Sequence, residues 1–258
     1  MKQLIPVGQD EIWVEDSEGD GPVVLLLHPG IADSSAWDPI WDRLTERCRT
    51  IRFDVRAFGR SPAATQDYTI VDDALAVLDR LGVDSAHLVG CSMGGGAAMD
   101  LAVLHPDRVL SLTLLCPGVN GYAWPDEPEL EAEWEALVAA DDQEGLFQLG
   151  MRLWAAAGHD PVVESLMRDA GEAQANEERF QRKVEPTFDR LGEIAVPTVM
   201  VVGDIDNPTL VEADLAAAQL IPRCRLVTMP GVDHLPMLRE PDWTLRLVLG
   251  QVGASLDA

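Results

Sequence analysis

Short apolar runs alternate along the chain with segments whose apolar residues recur every three to four positions. The run at residues 22–27 has no polar position, which is typical of a central strand covered by helices on both faces. From residue 70 to 81 the apolar positions fall on one helical stripe, and Gly82 stands where a C-cap glycine is expected. The same patterns predict further strands at 11–15, 49–55, 85–91, 109–115, 196–202 and 225–229, and further helices at 37–48, 93–104, 208–220 and 241–252.

This alternation predicts the fold class. Strands that alternate with helices form a mainly parallel sheet with right-handed crossovers, so we expect an α/β protein whose sheet is flanked by helices. The rhythm changes after residue 116, because only helical segments follow between residues 120 and 191. We interpret residues 120–191 as an inserted helical cap, and residues 1–119 together with 192–258 as the core.

Composition narrows the class of protein. Of the 258 residues, 47% are hydrophobic and 24% charged, and no apolar run approaches the roughly 20 residues of a membrane span. A net charge of −25 argues against nucleic acid and anionic membranes as partners, because both need clustered cations. No signal-peptide pattern occurs and the four cysteines are widely separated, so we expect a cytoplasmic protein with reduced thiols, no metal site and no cofactor. The pattern indicates no particular oligomeric state.

The strongest chemical signal lies at residues 88–96. Here a Gly-x-Ser-x-Gly turn containing Ser92 joins a predicted strand to a helix rich in glycine and alanine. Such a nucleophile elbow holds a serine hydroxyl exposed at a sharp bend, where a base can reach its proton. Taken alone, the pattern also fits a tight turn with a solvated serine. Its position between a strand and a helix favours a nucleophilic Ser92.

A nucleophilic serine needs a base, and the base needs an orienting acid. Among the five histidines, His234 follows the last predicted core strand, in a loop that can reach over the sheet edge towards Ser92. Asp204 and Asp206 both follow the strand predicted at 196–202. Side chains diverge at a turn, so we expect only one of the two carboxylates to meet the imidazole. Their positions alone leave both open.

Five motifs occur in an order that resembles the α/β-hydrolase family over nearly the whole chain. They lie at residues 27–30 with Trp37, 54–61, 90–95, 203–206, and 231–234 with 240–241. The resemblance implies that Ser92 is the nucleophile, that His234 is the base and, through a Gly-x-x-Asp spacing, that Asp206 is the acid. Asp204 would then form the turn or cap the next helix. Asp233, next to the base, is expected to be a loop residue.

Acyl transfer also needs donors for the developing oxyanion, and backbone amides supply them with little reorganisation. The amide of Met93, directly after the nucleophile, is one expected donor. The family usually has His-Gly where this chain has His28 and Pro29, and proline carries no N–H. Counting along the resembling loop gives Gly30 as the second donor, with Ile31 as the alternative. We expect His28 to shape this loop through hydrogen bonds.

These observations lead to a functional expectation. We interpret the chain as a carboxylic ester hydrolase that cleaves a small-molecule ester or lactone through a Ser92-His234-Asp206 triad and an acyl-enzyme, similar to 3-oxoadipate enol-lactonase-like hydrolases. Enol-lactone and carbon–carbon bond hydrolysis are close alternatives. A ligand-binding or cyclase member of the fold, with little hydrolytic turnover, is a different class. The residues expected to line the substrate pocket are Ile31, Trp124, Trp154 and Leu235.

Overall fold

The structure is a computed structural model that describes residues 1–253, without the side chains at positions 172, 174, 175 and 178. Its strands are β1 (Lys2–Val7), β2 (Asp10–Asp16), β3 (Val23–Leu27), β4 (Arg49–Phe53), β5 (Ala86–Cys91), β6 (Val109–Leu115), β7 (Thr198–Gly203) and β8 (Cys224–Met229). Its helices are α1 (Asp38–Thr45), α2 (Ile70–Arg80), α3 (Met93–Leu104), α4 (Pro128–Ala139), α5 (Gln143–Trp154), α6 (Pro161–Phe180), α7 (Pro208–Leu220), α8 (Pro236–Arg239) and α9 (Pro241–Gln251). No helix within residues 1–253 has both the length and the apolar character of a membrane span.

The eight strands form one sheet in the order β1-β2-β4-β3-β5-β6-β7-β8. The first two strands pair antiparallel with each other, and β2 pairs antiparallel with β4, whereas all other neighbours are parallel. The predicted α/β class with a mainly parallel sheet is therefore confirmed. The sequence pattern did not predict β1, because only two of its residues, Ile5 and Val7, are buried at this sheet edge.

Helices cover both faces of the sheet and create two hydrophobic cores. In β3, Leu25 and Leu27 face one core, and Val24 and Leu26 face the other, as the two-residue period of a strand requires. Helices α2 and α3 contribute to the first core, while α1 and α9 contribute to the second. Burial on both faces explains why residues 22–27 read as continuously apolar.

The helical insertion, residues 120–191, leaves the sheet after β6 and returns before β7. Helix α5 packs between α4 and α6, and α4 has no buried residue. The two ends of the insertion meet at Asp100 of α3, which accepts hydrogen bonds from Thr187 Oγ1 at 2.5 Å and from Asn120 Nδ2 at 3.3 Å. The Asn120 carbonyl also accepts the Phe188 N–H at 3.0 Å. Both ends are therefore joined to the core and to each other.

Candidate active site

Ser92 lies at the bend between β5 and α3 in a backbone conformation that residues other than glycine rarely adopt, with φ 50° and ψ −117°. Three backbone hydrogen bonds hold it there. Its N–H donates to the Leu115 carbonyl at 3.1 Å, and its own carbonyl accepts from Gly96 and Gly118, both at 2.9 Å. The Ser92 hydroxyl does not cap α3. The surrounding structure therefore holds the strained bend that the elbow motif predicts.

The two glycines of the elbow are required by close backbone packing. A Cβ atom on Gly90 would collide with the carbonyl group of Gly94, the second residue of α3. A Cβ atom on Gly94 would collide with the backbone carbonyl of Leu27 in β3. Since neither obstacle is a flexible side chain, only glycine allows α3 to start this close to the sheet.

His234 and Asp206 form a buried pair beside this bend. The imidazole Nδ1 lies 2.9 Å from Asp206 Oδ2, and both side chains are almost fully buried. The other carboxylate oxygen, Oδ1, accepts the N–H of Asn207 at 2.7 Å. Because the carboxylate is an acceptor, it assigns the proton of the neutral imidazole to Nδ1. The ring nitrogen Nε2 is then the one that can accept a proton.

Asp204, the alternative acid, has a different partner. Its side chain is exposed, and Oδ1 accepts the N–H of Gly231 at 2.6 Å. Gly231 belongs to the loop that carries His234, so Asp204 connects the two loops at the carboxyl end of the sheet. Of the two acids that the sequence left open, the structure brings Asp206 to the imidazole.

The loop after β3 forms a turn, closed by the Ala32 N–H and the Pro29 carbonyl at 3.2 Å. Gly30 and Ile31 are its central residues, and both line the same cavity as Ser92. Met93 also lines this cavity, and as the first residue of α3 its amide has no acceptor within the helix. The three residues whose amides are considered as oxyanion donors therefore line one cavity.

His28 supports this turn from beneath. Its Nε2 accepts the Val55 N–H at 2.9 Å, so Nδ1 carries the proton and donates to the Pro29 carbonyl, also at 2.9 Å. Complete burial lowers the pKa of His28, because the protonated ring would lose its hydration. His28 thus joins the turn to β4 as a neutral ring.

Asp54 holds the neighbouring backbone. Its carboxylate accepts the Ser34 N–H at 2.9 Å, and both the N–H and the guanidinium of Arg60 at 2.9 Å. Burial alone would raise the pKa of Asp54, but the hydrogen bonds from Arg60 and Ser34 lower it below its usual range. An ionised Asp54 therefore ties the turn after β3 to the turn after β4.

A cavity of about 970 Å³ opens above Ser92 and His234, between the carboxyl edge of the sheet and the helical insertion. Most of its apolar side chains come from α5 and α6, namely Leu146, Phe147, Leu149, Leu153, Trp154 and Met167, and α4 adds Trp134. Charged and amide side chains also line it, namely Gln143, Glu144, Arg168, Glu177, Gln181 and Lys183. The sequence patterns did not indicate these polar residues. The one available signal was Lys183, since the chain has only one other lysine.

Two of the four predicted pocket residues line this cavity, and two do not. Ile31 and Trp154 are part of its lining. Trp124 is not among the described lining residues, because it lies at the exposed start of the insertion with its ring edge-on to Tyr122. Leu235 is also outside the lining, because its side chain is buried in the second hydrophobic core.

Trp154 makes the most direct contact between the insertion and the candidate base. Its ring centroid lies 4.7 Å from that of His234, with the two planes inclined by 42°. Trp154 is also the last residue of α5. The insertion therefore places an aromatic ring against the imidazole.

The His234–Asp206 pair and the buried thiol of Cys116 together have the chemistry of metal ligands. Potential ligand atoms of Cys116, Asp206 and His234 lie within 4.8 Å of one another. Burial raises the pKa of the Cys116 thiol well above its ordinary value, and metals bind the thiolate. Because the imidazole Nδ1 is also held by Asp206, this set fits a metal ion poorly.

Known proteins share this architecture. Residues 22–148 match a family model described as the alpha/beta hydrolase fold. The chain is 24% identical to 3-oxoadipate enol-lactonase 1 of Acinetobacter baylyi over 246 residues, which cover 90% of this chain and 89% of that protein. It is 37% identical to a 2-hydroxymuconate semialdehyde hydrolase of a Pseudomonas species over 123 residues, or 45% of this chain and 43% of that protein. Other curated relatives, at 40% identity, are matched over only 40% of their own length.

Solved structures extend the likeness to the whole fold. Est816, described as an N-acyl homoserine lactone degrading enzyme, has a TM-score of 0.81 at 26% identity, covering 96% of this chain and 99% of that one. An enol-lactonase from Burkholderia xenovorans LB400 has a TM-score of 0.80 at 22% identity, covering 97% and 100%, and supports the fold alone. The order of the strands in the sheet, the bend at Ser92 and the similarity to these known proteins together define a protein of the α/β-hydrolase fold. The family model covers just under half of the chain, and the structural likeness extends the α/β-hydrolase fold to the whole of it.

Proposed function

We propose that this protein is a serine hydrolase that cleaves a carboxylic ester or lactone through Ser92, His234 and Asp206. One observation carries the proposal: the imidazole whose Nδ1–H donates to a buried carboxylate lines the same cavity as a serine held at a strained elbow. A base oriented in this way is what a serine hydroxyl needs to become a nucleophile.

In this mechanism Nε2 of His234 takes the proton of the Ser92 hydroxyl as the oxygen attacks the carbonyl carbon of the substrate. Asp206 stabilises the imidazolium that forms. The amides of Met93 and Gly30 donate hydrogen bonds to the oxyanion, and Ile31 is the alternative second donor. The imidazolium then protonates the leaving alcohol, and water releases the acid from the acyl-enzyme by the same steps in reverse.

The cavity supports an ester or lactone with an apolar acyl group. Apolar side chains of α5 and α6 supply much of its lining, and a volume of about 970 Å³ is at the upper end of the range of about 300–1,000 Å³ for small-molecule sites. Two similar proteins are an enol-lactonase and a lactone-degrading enzyme, which favours a lactone among the possible esters. Enol-lactone hydrolysis is a specific case of the same reaction.

Carbon–carbon bond hydrolysis is the second candidate. A 2-hydroxymuconate semialdehyde hydrolase of Pseudomonas putida is 26% identical over 265 residues, covering 90% of this chain and 87% of that protein. Turnover of a panel of p-nitrophenyl esters, lactones and vinylogous diketones separates the candidates. We expect esters or lactones to be cleaved faster, and a preference for the diketones would favour the second candidate.

An active-site-directed label tests the nucleophile directly. We expect an organophosphonate to add one covalent label to the wild-type protein and none to Ser92→Ala. Ser61 is a matched control within the protein, because its hydroxyl is buried and donates to the Asp54 carbonyl at 2.6 Å. Labelling that persists in Ser92→Ala, or a wild-type protein that is neither labelled nor active on any ester, would refute the proposed function.

A further inference from the structure

Asp233 directly precedes the proposed base, yet its carboxylate faces away from the reaction and towards the helical insertion. The side chain is fully buried. Its Oδ2 accepts the N–H of Ala157 at 3.0 Å, and Oδ1 accepts the N–H of Leu235 at 3.3 Å. Ala157 lies in the connection between α5 and α6, whereas Leu235 follows the base. One carboxylate therefore bonds to the insertion and to the histidine loop.

Arg239, the last residue of α8, completes this junction. Its Nε lies 3.2 and 3.1 Å from the two oxygens of Asp233, and its Nη2 lies 2.8 Å from Oδ2. The same Nη2 donates to the Gly158 carbonyl at 3.0 Å. Nη1 lies 3.6 Å from the carboxylate of Asp160, the N-cap of α6. The guanidinium thus neutralises Asp233 and binds the α5–α6 connection at two further points.

This junction lies next to the contact between Trp154 and His234. Trp154 ends α5 three residues before Ala157, and its ring lies against the imidazole. The Asp233–Ala157 hydrogen bond therefore completes a closed loop of contacts. This loop runs from the ring of His234 to Trp154, along the backbone to Ala157, and through the hydrogen bond back to Asp233. Within this closed loop of contacts the ring of Trp154 has little freedom to move relative to the imidazole.

We propose that Asp233 and Arg239 are positioning residues that fix the helical insertion on the histidine loop. Through this attachment Trp154 orients His234, and the apolar side chains of the insertion keep their position above Ser92. This role rests on the proposed function. Asp233→Asn removes the charge that Arg239 neutralises, and it puts an amide where a carboxylate accepts four N–H groups. The connection at 155–160 is then released, and the imidazole loses its aromatic support.

The chain contains a matched control at the opposite edge of the sheet. Arg49, at the start of β4, binds buried Asp16 through Nε at 3.2 Å to both oxygens and through Nη2 at 2.7 Å. Its Nη2 also donates to the Leu81 carbonyl at 3.1 Å, and Asp16 accepts the N–H of Glu18, two residues later, at 2.8 Å. Asp16→Asn therefore disrupts the same kind of junction, but far from Ser92, His234 and Asp206.

The test compares Asp233→Asn, Arg239→Lys, Trp154→Ala, the double variant Asp233→Asn/Trp154→Ala, and Asp16→Asn. kcat and KM are measured on short-chain and long-chain p-nitrophenyl esters, at a temperature where circular dichroism shows each variant to be folded. We expect Asp233→Asn to lower kcat by about 10- to 100-fold, because misplacement by about 1 Å costs about that much. It should shift chain-length preference in the direction of Trp154→Ala, and the double variant should be no worse than the poorer single variant.

Two readouts do not require turnover. Hydrogen exchange should accelerate in a peptide covering residues 155–160, and the downfield proton resonance of His234 Nδ1 should broaden, in Asp233→Asn but not in Asp16→Asn. Arg239→Lys keeps a positive charge and provides the milder variant if Asp233→Asn does not fold.

The positioning role would be overturned if Asp233→Asn and Arg239→Lys both kept the wild-type kcat and the wild-type rate of hydrogen exchange in residues 155–160. It would also be overturned if the effects of Asp233→Asn and Trp154→Ala on kcat multiplied in the double variant. Failure of the proposed function looks different. In that case the wild type itself is inactive and unlabelled at Ser92, while the exchange and proton resonance still decide whether the junction positions His234.

Discussion

Asp214 should make the protein less stable as the pH rises, and its replacement by asparagine should remove that loss. It lies on the inner face of α7, is 1% exposed, and neither carboxylate oxygen has a hydrogen-bond partner in the described part of the chain. Burial raises the pKa of Asp214 well above its ordinary value, and the nearby charge of Asp206 adds to the shift. The folded protein therefore keeps Asp214 protonated at pH values where the unfolded chain ionises it.

The sign and size of the effect follow from proton binding. Between the ordinary aspartate pKa of about 3.9 and the raised pKa, the folded state binds one proton more than the unfolded state, so stability falls as the pH rises. The loss is about 1.4 kcal/mol for each pH unit in that window. Asp214→Asn keeps the shape but cannot ionise. We expect it to match the wild type near pH 4 and to exceed it near pH 7 by about 1.4 kcal/mol for each pH unit that lies between the ordinary pKa of aspartate and the raised pKa of Asp214.

Urea unfolding at about pH 4.5 and about pH 7.5 measures this difference, with equal m-values as the check that both chains unfold alike. Glu212, exposed on the same helix, provides the control, since Glu212→Gln should change the free energy of unfolding by no more than about 0.5 kcal/mol at either pH. A gain that does not depend on pH, or a variant less stable than the wild type near pH 7, would show that Asp214 is ionised in the folded protein and refute the reasoning.

Three further predictions follow from the site. Gly94→Ala should lower the thermal midpoint by several degrees and abolish phosphonate labelling, because its Cβ collides with the carbonyl of β3; a stable, fully labelled variant would contradict this. Asp206→Asn should lower kcat by about two to four orders of magnitude, and Asp204→Asn by far less, as steady-state kinetics on one ester would show; the reverse ranking would exchange the roles of the two acids. Trp124→Ala should leave chain-length preference on p-nitrophenyl esters unchanged, whereas Trp154→Ala should alter it; equal behaviour of the two variants would place the pocket elsewhere.

The sequence predicts those parts of the molecule that short-range chemistry determines. The elbow motif locates Ser92 because its glycines are forced by contacts between neighbouring backbone segments. Helix α3 has the predicted bounds because apolar and small residues fill it from its first turn to the proline that follows it. His234 was predicted as the base because it follows a strand of a parallel sheet, and the carboxyl ends of those strands meet at one edge. Position left Asp204 and Asp206 both open, and only the Gly-x-x-Asp spacing of the resembling family favoured Asp206.

Other parts depend on contacts that spacing does not encode. Trp124 and Trp154 both stand in the insertion, and only the packing of α5 against the sheet edge distinguishes a residue at the cavity from an exposed one. Asp233 reads as a loop residue because its partner Ala157 lies 76 positions away. Asp214 occupies a helix position that the apolar pattern leaves ambiguous, so its burial became visible only in the folded chain.

The junction of Asn120 and Thr187 at Asp100 fixes both ends of the insertion to the core. Its two ends are already joined through the core, so the segment between them does not have to hold its own ends together. The entropic cost of changing the length of such a segment is small, about 0.6 kcal/mol for each doubling. The carbonyl of Ser92 is bound at Gly118, before the first anchor, so the bend at Ser92 does not depend on the length of the segment between the anchors.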